Sequence, residues 1–246
     1  MDFWGITDSG KVRKHNQDAF KTLSNEDNSF VVLVVCDGIG GANAGNVASE
    51  MAADTFMTCI KNEIGVDGVY SQEDIAEIVK GAVSAANKSV YEKSKQGEEF
   101  TGMGTTITAA VSTTGGEVVA NIGDSRLYHI TDNKITQITK DHSVVEDMIE
   151  KGEITRGEAR RHASRNLITR ALGAGDNEPP DIFFMKLNDG ESILLCSDGL
   201  TDVVLDSEIQ FELLRGKSAR ESCEALLETA LERGAPDNVT AVILKK

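Results

Sequence analysis

Six short segments restrict most strongly what this chain can fold into, because each is rich in β-branched residues and has the length of one β-strand. The tetrapeptide from Thr113 to Gly116 and the pair Asp132-Asn133 are typical of turns between neighbouring strands. We therefore expect antiparallel pairing. The predicted strands are Phe30–Cys36, Thr106–Ser112, Val118–Ile122, Leu127–Thr131, Ser192–Cys196 and Val239–Leu244.

Apolar and small residues also recur at intervals of three and four, a spacing that predicts three long helices. The first contains Val47. The second begins at Ser71 with Asp74 in the capping-box position, and the third begins near Ser218 with Glu221 in the same position. Long helices together with mostly antiparallel strands indicate an α+β layered domain.

A single domain is expected for the whole of 1–246, since the sequence contains no internal repeat, no low-complexity linker and only three prolines. The segment 141–165 has a different character because it is densely charged. We expect this segment to form short exposed helices and to act as a mobile flap subdomain.

The charge and the apolar runs limit the kinds of partner. A net charge of −15 argues against a nucleic-acid binder, because an acidic surface repels phosphodiester backbones. No run approaches the roughly 18 apolar residues of a membrane span, and the N-terminus lacks the apolar core of a signal peptide. The four cysteines are far apart, so neither a zinc site nor a disulfide scaffold is indicated, and reduced thiols in a cytoplasmic protein are expected.

Four aspartates stand beside the ends of predicted strands, where a rigid sheet can hold a side chain in place. Two of the aspartates are followed by glycine, and Asp-Gly pairs are common in hairpin turns. A hairpin turn is therefore the structural explanation for these two pairs. That explanation fits poorly, because Asp37-Gly38 and Asp198-Gly199 are each followed by a predicted helix and not by a second strand. The aspartates are Asp37, Asp124, Asp198 and Asp237.

If these carboxylates converge, they need a positive counter-charge, because crowded carboxylates cannot all remain ionised without one. The sequence beside them offers no lysine or histidine cluster, and ligation by oxygen alone suits Mg²⁺ or Mn²⁺ better than zinc. Two such ions about 3.5–4 Å apart can generate a bridging hydroxide for attack on a phosphate ester. At Gly38 the missing Cβ would let the backbone carbonyl approach a metal.

A possible phosphate-binding group is Arg13, which precedes Asn16, Gln17 and Asp18. A guanidinium is well suited to phosphate because its planar fork bonds two oxygens. Alone, Arg13 is typical of a surface cation, so its position before Asp18 is informative only together with the aspartates.

Eight motifs occur in a fixed order from about Gly5 to Leu244, and they are VRKHNQDAF, VVCDGIGGANAGNVAS, TGMGTTITA, NIGDSRLYHI, DHSVVEDMIEKGEIT, ITRALG, LLCSDGLTD and APDNVTAVIL. In this order they resemble the bacterial metal-dependent Ser/Thr protein phosphatases of type 2C, the PPM family. The resemblance implies a four-layer α-β-β-α sandwich, in which two antiparallel sheets are flanked by helix pairs and a metal site lies at one end. It also implies a hydrolase that acts on phosphoserine and phosphothreonine in proteins.

The same resemblance implies the metal ligands, residue by residue. Asp37 would bridge two metal ions, and Gly38 would contribute its carbonyl oxygen to the second ion. Asp198 and Asp237 would complete the first site, while Asp124 would hold a third, weaker ion that it shares with Asp198. The ions would be Mn²⁺ or Mg²⁺.

Other residues are expected to support catalysis. By resemblance, Arg13 binds the substrate phosphate, Asp18 holds metal-bound waters, and Asn238 positions Asp237 or a water. Gln17 stands where many eukaryotic members have glutamate, and bacterial relatives often have glutamine there. The hypothesis that follows is direct hydrolysis, in which the hydroxide bridging the two metals attacks phosphorus while Arg13 stabilises the equatorial oxygens.

The chain departs from the family pattern at three further positions, none of them a direct ligand. Ile39 occupies the place of the histidine proposed as general acid in eukaryotic members, Ala42 replaces a histidine common in bacterial members, and Asn46 replaces a glutamate. The proton donor is therefore unassigned, and a metal-bound water is the expectation. His142 and His162, in or near the flap, are given no catalytic role.

Other interpretations remain. VVLVVCDGIGG places glycines after a strand, as in nucleotide-binding proteins, but a G-x-G-x-x-G pattern from Gly38 needs glycine where Asn43 stands. A catalytically weak family member would instead be a regulatory binding module for a signalling partner. As an enzyme, the protein would act on substrates of a cognate Ser/Thr kinase or on one dedicated signalling protein. A cytoplasmic monomer is expected, with no nucleic-acid or membrane partner.

Overall fold

The computed structural model describes residues 1–26, 28–40, 44–64 and 70–246, so Ala42 and Asn43 lie outside the described residues. In the described part, the strands are β1 (Asp2–Asp8), β2 (Asp18–Ser24), β3 (Val31–Ile39), β4 (Gly104–Thr105), β5 (Ile107–Thr113), β6 (Gly116–Ile122), β7 (Arg126–Ile130), β8 (Ile135–Gln137), β9 (Asp181–Met185), β10 (Ser192–Cys196) and β11 (Val239–Lys245). The helices are α1 (Ala44–Glu63), α2 (Gln72–Ser94), α3 (Val144–Glu150), α4 (Arg156–Ala159), α5 (Asp198–Thr201), α6 (Asp206–Arg215) and α7 (Ala219–Glu232).

The strands form two sheets. One has the order β1-β11-β10-β7-β8, and the other has the order β2-β3-β5-β6-β9, with β4 paired to β3 beside this path. Every pairing of strands is antiparallel among the described residues, as the turn sequences predict. Both predicted hairpins, β5 with β6 and β7 with β8, are confirmed.

Helices cover the outer face of each sheet. α1 and α2 pack against each other and on the β2-β3-β5-β6-β9 sheet. On the opposite face of the molecule, α7 packs beside β1 and β11, and α6 packs on α7 and β8. A third apolar cluster lies between the two sheets. These layers are the four-layer α-β-β-α sandwich that the sequence resemblance implies, and that prediction is confirmed.

Strand β3 shows how side-chain alternation connects the layers. Val31 and Leu33 face the other sheet, whereas Val32 and Cys36 pack beneath α1 and α2. All four are fully buried. Cys196 of β10 likewise packs on the helix side of its sheet, so the two cysteines that precede site aspartates belong to the core.

The three long helices are confirmed, but one of the two predicted capping boxes is wrong. At α2 both halves form, since Ser71 accepts from the Asp74 amide and the Asp74 carboxylate accepts from the Ser71 amide. At α7, Ser218 accepts from the Glu221 amide at 3.1 Å, but the Glu221 carboxylate reaches one residue further back and accepts from the Lys217 amide at 2.9 Å. None of the described helices combines the length and the apolar character needed to cross a bilayer.

The sequence pattern finds every central strand and misses every edge strand. The edges of the two sheets are β1 and β8 in one sheet and β2 and β9 in the other. Their side chains are mostly half-buried or exposed, and β1, β2 and β8 mix polar with apolar residues, so no long apolar run marks these three. β9 does contain an apolar run, Ile182–Met185, which the prediction overlooks. The two-residue β4 is too short to leave a pattern.

The segment 141–165 contains the short helices α3 and α4, as expected. The expectation that its charges are exposed is wrong for two of them, because Asp141 and Glu146 are buried. Arg126 contacts Asp141 at 2.6 Å, and Arg156 contacts Glu146 at 3.0 Å. Such pairing is what a buried carboxylate requires, because an unpaired charge is costly away from water.

Candidate functional site

The antiparallel topology brings the four site aspartates to one edge of the sandwich. β10 runs toward this edge and β11 runs away from it, so Asp198 follows the first strand and Asp237 precedes the second. On the other sheet β3 and β6 both run toward the edge, with Asp37 near the end of β3 and Asp124 just beyond β6. Asp37 lies within β3 and not after it, because the strand continues to Ile39.

A pocket of about 250 Å³ opens at this edge. Eight of the nine residues that the sequence assigns to the site line it. The ninth, Asp18, is buried beside Asp37, its partner in the pairing of β2 with β3. The eight lining residues are Arg13, Gln17, Asp37, Gly38, Asp124, Asp198, Asp237 and Asn238.

Asp18 joins the two sheets beneath the pocket. Its Oδ2 accepts hydrogen bonds from the Ser197 hydroxyl at 2.7 Å and from the Thr240 hydroxyl at 2.6 Å. Its buried Oδ1 has no hydrogen-bond partner. Burial raises the pKa of this carboxyl to about 6, although the two hydroxyls act in the opposite direction. A buried oxygen without a donor is a place where a cation or an ordered water fits.

Asp37 is held through its backbone. Its amide donates to Thr106 Oγ1 at 2.9 Å, and its carbonyl accepts from the Thr106 amide at 2.9 Å. The side chain is therefore free to face the pocket. Burial raises the pKa of Asp37 well above its ordinary value of 3.8, and the nearby charges of Asp18 and Asp198 raise it further.

Gly38 is required for a reason that the sequence does not reveal. Its amide donates to the Gln17 carbonyl at 3.0 Å, and a Cβ placed on it would lie 2.1 Å from the Gly45 carbonyl oxygen in the first turn of α1. Ser49 also donates to the Gln17 carbonyl, at 2.6 Å. Only glycine permits this close contact among β3, α1 and the segment before β2.

Asp198 begins the single-turn helix α5, and its position depends on Asn238. A Cβ on Gly199 would lie 1.9 Å from the Asn238 carbonyl oxygen, so α5 and the start of β11 touch backbone to backbone. Burial raises the pKa of Asp198 well above 3.8, with a further contribution from Asp124.

Asn238 connects the N-terminal segment of the chain to the site through several hydrogen bonds. Its amide donates to Asp237 Oδ1 at 2.8 Å, and its side-chain oxygen accepts from the Gln17 amide at 2.8 Å. Its side-chain nitrogen donates to the carbonyls of Ser9 and His15, each at 3.0 Å. These bonds fix the loop that carries Arg13.

Arg13 is the only lysine, arginine or histidine in the described lining of the pocket. Its Nη2 donates to Asp237 Oδ2 at 2.6 Å, and half of its side chain is exposed. In this arrangement the guanidinium neutralises one of the site carboxylates.

No three His, Cys, Asp or Glu side chains of the described residues stand around one point as metal ligands would.

Asp124 lies between two pockets. It lines the pocket described above and also a second one formed with the 141–165 segment, which is lined by Asp198, Asp202 and Arg165 among others. Burial raises the pKa of Asp124 to about 7, and repulsion from Asp141 adds to the increase.

The chemistry of the described lining fits divalent metal ions, although its side chains do not surround one common point in this structure. Among the described residues, the lining supplies oxygen donors and no thiol or imidazole, which favours Mg²⁺ or Mn²⁺. Asp37, Asp124 and Asp198 all have raised pKa values, so a positive charge in the pocket would stabilise their ionised forms. The free Oδ1 of Asp18 points to the same need.

Three hydroxyl residues of the site are not predicted from the sequence. Ser197 and Thr240 bond Asp18, and Thr106 bonds the backbone of Asp37. All three are buried beside apolar strands. A hydroxyl at a buried position next to a candidate ligand is the pattern that could have found them, since a buried polar group needs a partner.

A family model described as protein phosphatase 2C matches residues 10–241. The serine/threonine phosphatase stp of Listeria welshimeri is 34% identical over 240 residues, which are 98% of this chain and 94% of that protein. The serine/threonine protein phosphatase PstP of Mycobacterium tuberculosis is 36% identical over 237 residues, which are 96% of this chain and 43% of that protein.

Solved structures agree with these matches. The crystal structure of serine/threonine phosphatase Stp1 from Staphylococcus aureus has a TM-score of 0.90 at 35% identity, covering 100% of this chain and 95% of that one. The catalytic domain of the serine threonine protein phosphatase PstP, solved in complex with two manganese ions, has a TM-score of 0.84 at 33% identity, covering 98% and 96%.

Proposed function

This chain belongs to the protein phosphatase 2C family, and we propose that it is a metal-dependent serine/threonine protein phosphatase. It hydrolyses phosphoserine and phosphothreonine in other proteins. One observation carries the proposal, namely a pocket walled by carboxylates of raised pKa with a single guanidinium, Arg13, in its described lining. Carboxylates alone would repel a phosphate ester, so the pocket needs metal ions to bind one.

The metal ligands of the proposal are the oxygens that line the pocket. Asp37, Asp198 and Asp237, with the carbonyl of Gly38, would hold two ions, and Asp124 with Asp198 would hold a third. The PstP structure with two manganese ions supports the first pair. When bound, Mn²⁺ or Mg²⁺ would activate a water molecule and neutralise the phosphoryl oxygens.

Arg13 binds and orients the phosphate in this proposal. Its guanidinium reaches the pocket beside Asp237 and is half exposed, so it can bond two phosphate oxygens of an entering substrate. Asn238 and the Gln17 backbone hold the loop that carries Arg13. Asp18, fixed by Ser197 and by Thr240, keeps one oxygen free to order water beneath Asp37.

Water is the proposed proton donor to the leaving hydroxyl. The described residues that line the pocket include no histidine, lysine, cysteine or tyrosine. Ile39, at the place of the eukaryotic histidine, lines the pocket and has no proton to give.

The segment 141–165 is the proposed flap beside the catalytic groove. It is tied to the α5 region through Arg160, which donates to the Thr201 carbonyl at 2.8 Å, and through Arg165, which lies 3.9 Å from Asp202. These contacts support a role in shaping access to Asp124 and Asp198, the two aspartates common to both pockets.

A regulatory binding module without strong catalysis is the less favoured alternative. All nine assigned residues are present at the pocket or directly beneath it, and the full-length relatives are named phosphatases. A chromogenic phosphate ester assayed with Mn²⁺, and again with a chelator, separates the two functions, because a binding module would release no phosphate in either condition.

The proposed physiological setting is a cytoplasmic monomer that opposes a cognate Ser/Thr kinase. Four free cysteines, three of them buried, suit a reducing compartment. Comparison of the phosphoproteins of cells with and without the gene would identify the substrates.

The substitution Asp37→Asn tests the proposed function. We expect it to abolish phosphate release from a phosphothreonine peptide with Mn²⁺ present, because an amide cannot bridge two cations as a carboxylate does. Asp189→Asn, at an exposed position in the turn before β10, is the matched control and should retain full turnover. Near-normal turnover by Asp37→Asn would show that the assignment is wrong.

A further inference from the structure

A histidine that the proposed chemistry does not use lies directly behind Asp124. His142 is buried, and both its backbone and its side chain contact Gly123, the residue before Asp124. The Gly123 amide donates to His142 Nδ1 at 3.0 Å, and the His142 amide donates to the Gly123 carbonyl at 2.9 Å.

These contacts determine the tautomer of the ring. Because the Gly123 amide donates to Nδ1, that nitrogen must carry a lone pair, and the proton of a neutral ring is then on Nε2. Nε2 faces Asp181 Oδ2 at 3.2 Å and can donate to it. Arg170 Nη1 lies 3.0 Å from Nε2 and donates to Asp181 Oδ1 at 2.8 Å, so a proton on Nε2 leaves this guanidinium with a carboxylate as its acceptor. Burial lowers the pKa of His142, which favours the neutral ring.

The backbone at Gly123 needs such support. Its φ is +105°, and a Cβ there would lie 2.5 Å from Thr106 Cγ2, so the chain makes a turn that only glycine permits. Asn121 donates to the Gly123 carbonyl at 3.2 Å, but the Gly123 amide has the imidazole as its partner. The Gly123 amide belongs to the peptide unit before Gly123 and the Gly123 carbonyl to the unit after it, so the bonds to both together fix the turn from which Asp124 leaves.

We propose that His142, as the Nε2-protonated tautomer, is a positioning residue that directs the Asp124 carboxylate into the pocket by holding the Gly123 amide. Asp181 and Arg170 fix the ring from the other side. The inference depends on the proposed function only for the role of Asp124 as a metal ligand.

Two substitutions separate the bonds that the ring makes. In His142→Asn the side-chain oxygen can take the place of Nδ1 and accept from Gly123, whereas in His142→Gln the polar end reaches toward the Nε2 position and Asp181. A positioning role through Gly123 predicts that Asn preserves the function and Gln does not. If His142 served only in packing, the Asn variant would not be expected to preserve the function better than the Gln variant.

The first readout is the exchange rate of the Gly123 amide, measured by NMR on the full chain with Mg²⁺. We expect slow exchange in the wild type and in His142→Asn, and exchange about tenfold faster or more in His142→Gln. The long-range proton–nitrogen spectrum of the wild type reports the tautomer independently of any variant. A proton on Nδ1 would overturn the proposal, as would equal exchange rates in the two variants.

The second readout is the binding of Mn²⁺, measured by calorimetric titration. We expect His142→Gln to weaken the weakest resolved site by roughly 10–100-fold, as is typical when the support of a metal ligand is lost, and His142→Asn to retain its affinity. The matched control is His129→Gln, since His129 also contacts a carboxylate, Glu191 at 2.8 Å, but lies on β7 away from the pocket lining. An equal effect of His129→Gln would contradict the proposal.

Asp124→Asn distinguishes this inference from the proposed function. If Asp124→Asn leaves Mn²⁺ binding unchanged, the metal role of Asp124 fails. In that case the proposal about His142 is still tested by the exchange rate of the Gly123 amide and by the tautomer of the ring.

Discussion

At the residue scale, the site consists of carboxylates whose burial disfavours the ionised form. Asp18 is the clearest example, since one of its oxygens is bonded by two hydroxyls and the other is buried without a partner. Sequence spacing identifies Asp18 as part of a motif, but the two hydroxyls come from Ser197 and Thr240, far away in the chain. Long-range contacts of this kind leave only a weak local pattern in a sequence.

Arg13 provides a prediction about substrate binding. Arg13→Ala should raise the KM for a phosphothreonine peptide about tenfold or more while changing kcat less, because a charged hydrogen bond to phosphate contributes roughly 1.5–3 kcal/mol and is made in the ground state as well. Steady-state kinetics at saturating Mn²⁺ measures both constants. A drop in kcat with unchanged KM would instead show that Arg13 contacts the phosphate only in the transition state. Arg220→Ala, at an arginine on α7 that stacks on Trp4, is the control.

At the scale of elements, burial decides what a sequence reveals. The six central strands are recognised because most of their residues are apolar or β-branched and buried, whereas the edge strands β1, β2 and β8 mix polar and apolar residues that are half-buried or exposed. The edge strands nevertheless matter for function. β2 supplies Asp18, and its register against β3 sets Asp18 opposite Asp37.

The close contact between α5 and the start of β11 gives a prediction at this scale. Gly199→Ala should destabilise the fold by about 1–3 kcal/mol and weaken Mn²⁺ binding, because a Cβ would lie 1.9 Å from the Asn238 carbonyl and displace Asp198. Gly81→Ala, within α2 and with nothing near its Cβ, should instead stabilise by roughly 0.5–1 kcal/mol. Chemical denaturation and metal titration of both variants test the pair, and equal stability changes would contradict it.

At the scale of the whole molecule, the fold concentrates acidic groups at one edge, so its stability should depend on pH and on metal together. Burial raises the pKa of Asp18 to about 6 and that of Asp124 to about 7, against 3.8 in the ordinary case. A carboxyl group whose pKa is higher in the folded state than in the unfolded state contributes stability that is fully present below the unfolded-state pKa. This stability is lost as the pH rises through the folded-state pKa. For these two groups the loss falls between about pH 4 and pH 7, that is, between the unfolded-state pKa and the folded-state pKa.

We therefore expect Mn²⁺ to raise the melting temperature of the protein more at pH 8 than at pH 5, relative to a chelator control. The physical reason is that metal-free carboxylates repel each other once they are ionised, and metal ions supply the missing charge. In Asp124→Asn, the metal-free protein should lose less stability than the wild type over this interval. A metal-induced shift that does not change with pH would contradict the prediction.

The sequence by itself determined the central strands, the long helices, the antiparallel pairing and eight residues that line the pocket. The strands and helices could be predicted because apolar periodicity is local, and the four aspartates because they stand next to strand ends. Gln17 and Asn238 follow from the resemblance of their motifs to the family. Only the tertiary structure decided that Asp37 lies within β3, that Gly38 is required by α1, and that His142 holds the turn before Asp124. Each of these depends on atoms brought together from distant parts of the chain, and such contacts are fixed by the packing of two sheets, not by the spacing of residues along one strand.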